Sequence, residues 1–128
     1  MNTPSIPRVL YVEDEPVVRR IVTRAFERDG IEIRTAADGR EGVALAKEWV
    51  PDLILMDLMM PVMDGFEATQ VLRSDAQTRD IPIVAYSASS PGSVTRRAMA
   101  AGVDAFLPKT TPHRELVSTV RARLRPRS

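Results

Sequence analysis

Short apolar runs and helix-spaced apolar positions alternate from one end of this chain to the other. Arg8 to Val12 is a β-branched and aromatic run ahead of an acidic cluster, and it predicts a buried strand. Pro16 opens a helix in the first-turn position that proline tolerates; Val17, Val18, Ile21, Val22, Ala25 and Phe26 form its apolar stripe, and Gly30 stops it. Ile31 to Thr35 predicts a second strand. Asp38 with Glu41 has the spacing of a capping box and starts a helix that runs toward Trp49, with Pro51 ending it. Asp52 to Met56 holds Leu53, Ile54, Leu55 and Met56, a continuous apolar strand of the kind covered on both faces.

The pattern then repeats. Asp64 and Glu67 open a third helix through about Ser74, and Pro82 to Tyr86 predicts a fourth strand. Ser90 and Pro91 lead a helix through Ala101, which Gly102 closes. Ala105 to Leu107 is a brief fifth strand, and Thr111 with Pro112 starts a last helix carrying Leu116, Val117, Val120 and Leu124 on one face. Strands alternating with helices in this way predict an α/β fold whose parallel sheet is covered on both sides. In such sheets ligands bind beyond the carboxyl ends of the strands, at the switch point.

Composition narrows the chemistry. The chain has 128 residues and no cysteine, which excludes disulfides, thiolate zinc sites, iron–sulfur clusters and a cysteine nucleophile. His113 is the only histidine, so a multi-histidine metal site is excluded, and we expect it to be exposed with no ligand role. No apolar run approaches the ~20 residues of a membrane span, and no charged-then-apolar leader is read, so a cytoplasmic location is expected. Net charge is +1, yet residues 113–128 hold five arginines against Glu115 while the remainder carries a balance of −3. That basic end is expected to be a solvated helix end suited to the helix dipole. Lys47 and Lys109 are the only lysines among 18 basic residues.

The polar residues that directly follow the apolar runs are the informative ones. Glu13, Asp14 and Glu15 follow the first strand, Asp57 the third, Ser87 the fourth and Lys109 the fifth. If the first and third strands are neighbours, Glu13, Asp14 and Asp57 converge. Converging carboxylates repel, and burial raises their pKa values. A hard cation relieves this, and Mg²⁺ fits because it accepts few protein ligands and keeps several waters. Ser87 can donate a hydrogen bond to a phosphate oxygen, Lys109 can pair with its charge, and an aspartate can itself be the nucleophile. These residue types together suggest Mg²⁺-assisted phosphoryl transfer onto an aspartate.

The segments RVLYVEDEP (8–16), DLILMDLMMPVMDG (52–65), IPIVAYSAS (81–89) and AFLPKT (105–110) make the chain resemble the receiver domain of two-component response regulators, of the single-domain chemotaxis kind. The resemblance implies a flavodoxin-like, doubly wound five-stranded sheet in the order 2-1-3-4-5. It implies a receiver domain over residues 8–124, with short tails at 1–7 and 125–128. It makes Asp57 the phosphoryl acceptor, Asp14 and Asp57 direct metal ligands, Met59 a ligand through its backbone carbonyl, and Glu13 a ligand through a metal-bound water. The metal is Mg²⁺, with Mn²⁺ able to replace it. Ser87 is the hydroxyl that meets the phosphoryl group, Lys109 binds it from the other side, and Phe106 is the aromatic switch residue. Pro61 and Gly65 shape the turn after the acceptor, and hydrolytic water passes near Met59 and Ser89.

The implied function is a phosphorylation-dependent switch, not an enzyme beyond its own phosphorylation and dephosphorylation. Its donor is a sensor histidine kinase or a histidine phosphotransfer protein. A downstream protein is expected at the fourth helix, fifth strand and fifth helix, without direct nucleic-acid binding or membrane insertion. The alternatives are a phosphohydrolase using the same chemistry and a phosphate-independent binding module. Met59, where such hydrolases carry an acid two positions after the nucleophile, disfavours the first. The intact set of Glu13, Asp14, Asp57, Ser87 and Lys109 disfavours the second.

Three positions depart from the family pattern: Glu13 for the commoner aspartate, Phe106 for tyrosine, and Thr110 where proline is usual after the lysine. A cis bond costs ~2.5–4 kcal/mol before a non-proline residue, so Lys109–Thr110 is expected to be trans with Lys109 still reaching Asp57. Met56, Met59, Met60 and Met63 are expected to fill gaps around the site rather than bind metal.

Overall fold

The computed structural model describes residues 5–88 and 92–125. Ser89, Ser90 and Pro91, and with them the expected start of the fourth helix, lie outside the described residues, as do 1–4 and 126–128. The elements run β1 (Arg8–Val12), α1 (Pro16–Arg28), β2 (Glu32–Ala36), α2 (Gly39–Trp49), β3 (Leu53–Met56), α3 (Gly65–Arg73), β4 (Ile83–Ser87), α4 (Gly92–Ala101), β5 (Ala105–Pro108) and α5 (His113–Arg123). All strand pairings are parallel and the sheet order is β2-β1-β3-β4-β5.

Strand alternation divides the core into two layers. Leu10, Val12, Ile54, Met56, Ile83 and Ala85 pack under α2, α3 and α4, with Trp49, Phe66, Leu72 and Ala98 among their neighbours. Val9, Tyr11, Leu53, Leu55, Val84 and Tyr86 face the other way, onto Val22 and Phe26 of α1 and Leu116, Val117 and Val120 of α5. The central strands are apolar on both sides because both sides are covered.

The helix starts follow the capping residues. Asp38 accepts a hydrogen bond from the Glu41 amide at 2.8 Å, and Asp64 accepts one from the Glu67 amide at 2.9 Å. Pro16 sits in the first turn of α1, and Glu15 is its N-cap.

Several boundaries differ from expectation for identifiable reasons. β2 begins at Glu32 because Arg8 pairs with Glu32, while the Ile31 amide is held by the Phe26 carbonyl at 3.2 Å. β4 begins at Ile83, since Pro82 has no N–H to donate, and extends through Ser87, which pairs with Pro108. Ser87 is therefore the last residue of its strand rather than the first residue after it. Pro112 occupies the N-cap of α5 with no side-chain cap, so the last helix begins directly after the expected Thr111–Pro112 start. Arg121 in the basic last turn is not simply solvated: its guanidinium binds the Asp29 carboxylate and carbonyl at the end of α1.

Candidate functional site

Register alone brings the acidic residues together. Val12 and Met56 are paired in the sheet, so Glu13 and Asp57, each one residue further on, leave it side by side, and the Asp57 amide donates to the Val12 carbonyl at 3.0 Å. Glu13 and Asp57 are buried and Asp14 is half-buried; one carboxylate oxygen from each lies within 4.8 Å of the others. Met56 also pairs with Ala85, which puts Ser87 on the next strand of the same edge. The Lys109 amide donates to the Ser87 carbonyl at 2.8 Å, and the Lys109 amine lies 2.5 Å from Glu13 Oε1 and 3.3 Å from Asp57 Oδ2. The Lys109–Thr110 peptide is trans, and the lysine reaches Asp57 from it. The Ser87 side chain is fully buried, and its hydroxyl has no hydrogen-bond partner among the described residues.

The loop after Asp57 is set by close approach. A Cβ on Gly65 would lie 2.2 Å from the Asp57 carbonyl oxygen, so only glycine lets α3 start against the backbone of Asp57. The Met63 carbonyl accepts the Gly39 amide at 3.0 Å, tying this loop to the start of α2. Between them Val62 takes φ +69°, with the Met63 amide donating to Pro61 at 2.8 Å; this is the rarer, strained form of γ-turn, occupied by a β-branched residue.

Lys109 bonds two of the three carboxylates, Glu13 and Asp57, and these two do not share the burden equally. Burial alone would push the Glu13 carboxyl up, but the Lys109 hydrogen bond, the Glu15 amide, the Lys109 charge and the Tyr11 hydroxyl outweigh it and hold it below the usual carboxylate range. Burial, followed by the charge of Glu13, pushes the Asp57 carboxyl up to about 6, against the opposing pull of Lys109 and the Met59 amide. Burial works against the Lys109 charge, yet its bonds to Glu13 and Asp57 hold its pKa above the usual amine value. Glu13 is thus a settled anion in an ion pair, while Asp57 is the carboxylate left under electrostatic stress. Such an arrangement takes up positive charge readily, and the unpartnered Ser87 hydroxyl has a donor to offer an added oxygen.

The structure brings together Glu13, Asp14, Asp57, Ser87 and Lys109. The Met59 amide lies 3.3 Å from Asp57 Oδ1, but its side chain is 64% exposed and fills no gap, because the chain turns outward after Leu58. Met56 is buried, and Met60 and Met63 are half-buried against the core. Phe106 is half-buried on the same layer and pairs with Ala85, two residues before Ser87. Sequence reasoning missed Tyr11, whose buried hydroxyl donates to Glu13 Oε1 at 2.9 Å. The available signal was its place on the strand two residues before Glu13, which follows the strand end and continues its alternation, so that both side chains share one face.

Residues 9–121 match the family model for the response regulator receiver domain. The chain is 38% identical over 120 residues to the DNA-binding dual master transcriptional regulator RpaA of Synechocystis sp., covering 94% of this chain and 50% of RpaA. The chain therefore spans about half the length of that relative. It is 33% identical over 115 residues to protein PilH of Pseudomonas aeruginosa, covering 90% of this chain and 95% of PilH. Among solved structures, the chemotaxis protein CheY4 of Vibrio cholerae superposes with a TM-score of 0.88 at 32% identity, covering 94% of this chain and 100% of CheY4. The receiver domain of the Pseudomonas aeruginosa sensor histidine kinase PA1611 superposes with a TM-score of 0.87 at 29% identity, covering 93% and 98%; it was crystallised with a magnesium ion coordinated in its active site cleft.

Proposed function

The chain belongs to the response regulator receiver domain family of two-component signalling, and we propose that it is a phosphorylation-dependent switch whose acceptor is Asp57. The observation that carries this reading is the stressed, buried Asp57 carboxylate lying 3.3 Å from the Lys109 amine, on the same sheet edge as a fully buried serine hydroxyl without a partner among the described residues. An Asp57 carboxylate oxygen attacks the phosphorus of a phosphohistidine on a kinase or phosphotransfer protein. The new P–O bond forms as the P–N bond breaks, and the imidazole leaves with the electron pair. Lys109 then pairs with the added charge, and Ser87 donates its hydrogen bond to a phosphoryl oxygen.

The donor set suits Mg²⁺ or Mn²⁺: carboxylate oxygens of Glu13, Asp14 and Asp57 converge, and oxygen ligands are what these hard cations take. Asp14 and Asp57 would hold the ion directly with the Met59 carbonyl, and Glu13 through water. The ion supplies charge neutralisation for an anion approaching an anionic site. The signal is read by a partner protein at α4, β5 and α5, where Phe106 responds to movement of Ser87. In this role the chain binds no nucleic acid directly and works in the cytoplasm; no helix among the described residues is long and apolar enough to cross a membrane. The domain responsible spans residues 8–124.

Incubation with acetyl phosphate and Mg²⁺, followed by intact mass measurement, tests the assignment. One phosphoryl group should add to the wild type, and none to Asp57→Asn or to wild type in EDTA. Equal labelling of Asp57→Asn would overturn the acceptor, continuous turnover would favour a phosphohydrolase, and no labelling at all would favour a phosphate-independent module.

A further inference from the structure

Building on the reading of this cluster as a cation-dependent phosphoacceptor site, we infer that Tyr11 is a positioning residue: its buried hydroxyl pins Glu13 in the ion pair with Lys109 and withholds that carboxylate from direct coordination, so that the site prefers a small cation to a large one. Tyr11 and Glu13 stand at alternate positions of one strand and its extension, on the side of the sheet that faces α1 and α5. The Tyr11 side chain is fully buried, and its ring lies tilted at 56° against Tyr86, with centroids 6.4 Å apart. Packing therefore holds the hydroxyl in place, and a buried hydroxyl without a partner is costly, so the bond to Glu13 constrains both residues.

The bonds at Glu13 leave little freedom. Oε1 accepts Tyr11 Oη at 2.9 Å and Lys109 Nζ at 2.5 Å, while Oε2 accepts the Glu15 amide at 3.1 Å. A carboxylate has about four lone-pair positions; three are taken, two of them by the hydroxyl of the packed Tyr11 and a backbone amide. Glutamate is longer by one methylene than the aspartate usual here, so unpinned it could swing both oxygens toward a cation beside Asp14 and Asp57. Added protein oxygens favour Ca²⁺, which takes many ligands in flexible geometry, over Mg²⁺, which keeps its waters in a strict octahedron. A purely structural Tyr11 would affect melting but not this preference.

The test is titration of the full chain with MgCl₂ and with CaCl₂, following the amide NMR shifts of residues 57–59, in wild type, Tyr11→Phe, Glu13→Gln and the double variant. Phenylalanine keeps the ring packing and removes only the hydroxyl, and thermal melts confirm folding of each variant. Loss of a group that orients a metal ligand commonly costs 10–100-fold in affinity, so we expect the ratio of Mg²⁺ to Ca²⁺ affinity to fall roughly tenfold in Tyr11→Phe. In the Glu13→Gln background the same substitution should change the ratio much less, since the amide oxygen it frees is neutral and a weaker ligand than a carboxylate. An unchanged ratio in Tyr11→Phe, or an equal fall in both backgrounds, overturns the role of Tyr11 while leaving the cation site standing. Wild type whose shifts do not respond to Mg²⁺ overturns the site itself, and the inference with it.

Discussion

Charged side chains gather at both ends of the sheet, but they are engaged differently. At the amino end of the strands, Arg73 donates from Nε to Gly102 O at 2.9 Å, from Nη1 to Arg79 O and Ile81 O at 2.8 and 2.6 Å, and from Nη2 to Asp104 Oδ2 at 2.9 Å. Asp104 Oδ2 also accepts the Ile83 amide at 2.8 Å, and Asp52 Oδ2 accepts the Arg8 amide at 2.9 Å. These charges are matched to backbone groups that helix and strand geometry leaves open. At the carboxyl end, three carboxylates converge while Lys109 bonds only Glu13 and Asp57, Asp57 is held well above its ordinary pKa, and Ser87 has no hydrogen-bond partner among the described residues. One end of the sheet uses its charges to close the fold; the other holds groups whose bonding is incomplete among the described residues, at some cost to stability.

The largest expected effect is at the closed end. Arg73→Met keeps most of the stem but removes the donor from the part-buried carbonyls of Gly102 and Ile81 and breaks the bonds to Arg79 and Asp104, and it should lower the unfolding free energy in urea by roughly 2–4 kcal/mol. Phosphoryl uptake at low temperature should survive. A loss of stability confined to tenths of a kcal/mol would show that the two ends do not differ in this way.

At the open end the sign reverses. Without Mg²⁺, Asp57→Asn should raise stability at pH 7–8 by roughly 1–3 kcal/mol. With a folded pKa of about 6 against an ordinary 3.8, folded Asp57 binds more protons than the unfolded chain between those values. Its contribution to stability is therefore fully present below the unfolded pKa and is lost as pH rises through the folded one. The advantage of Asn should shrink as pH falls from about 6 toward 4, and saturating Mg²⁺ should narrow it at pH 7–8 by stabilising wild type. Urea midpoints across pH, with and without Mg²⁺, check both; an Asn variant less stable than wild type at pH 8 without Mg²⁺ would remove the contrast.

A smaller gain is expected from the loop at the open end. Val62 is 70% exposed, so little packing is lost in Val62→Asn, while asparagine tolerates φ +69° far better than a β-branched side chain. A rise of about 1 kcal/mol in thermal or urea unfolding is expected; no change would mean that the turn relaxes freely around valine. The smallest effect belongs to the exposed Lys47–Asp75 pair at 3.3 Å. Lys47→Ala should change stability by no more than about 0.5 kcal/mol, and a change as large as that of Arg73→Met would mean that charge pairing rather than backbone satisfaction distinguishes the closed end.

Much of this organisation was legible in the chain. The run from Arg8 to Val12 coincides with β1, the Asp38 and Asp64 caps stand where their spacing put them, and the polar residues that follow apolar runs converge at one edge. Local rules suffice there, because a capping bond spans three residues and strand alternation spans two. The clamp at Arg73 was not legible, since its acceptors are mostly carbonyls in separate loops and any residue type supplies a carbonyl. The start of β4 was misread where proline looked like part of the element rather than a residue just outside it.

The sequence by itself determined the alternation of strands and helices, the two-sided burial of the sheet, and which acid, hydroxyl and amine groups end up at its carboxyl edge. Only the tertiary structure decided how those groups divide their roles: Lys109 sits closer to Glu13 than to Asp57 although 96 positions separate it from Glu13 and 52 from Asp57, and Tyr11 fills a third bond on the same carboxylate. Hydrophobic periodicity records which face of an element is buried. Interactions among charges depend on separations of a few ångströms and on how much water remains between them, and both are set by packing between segments far apart in the chain.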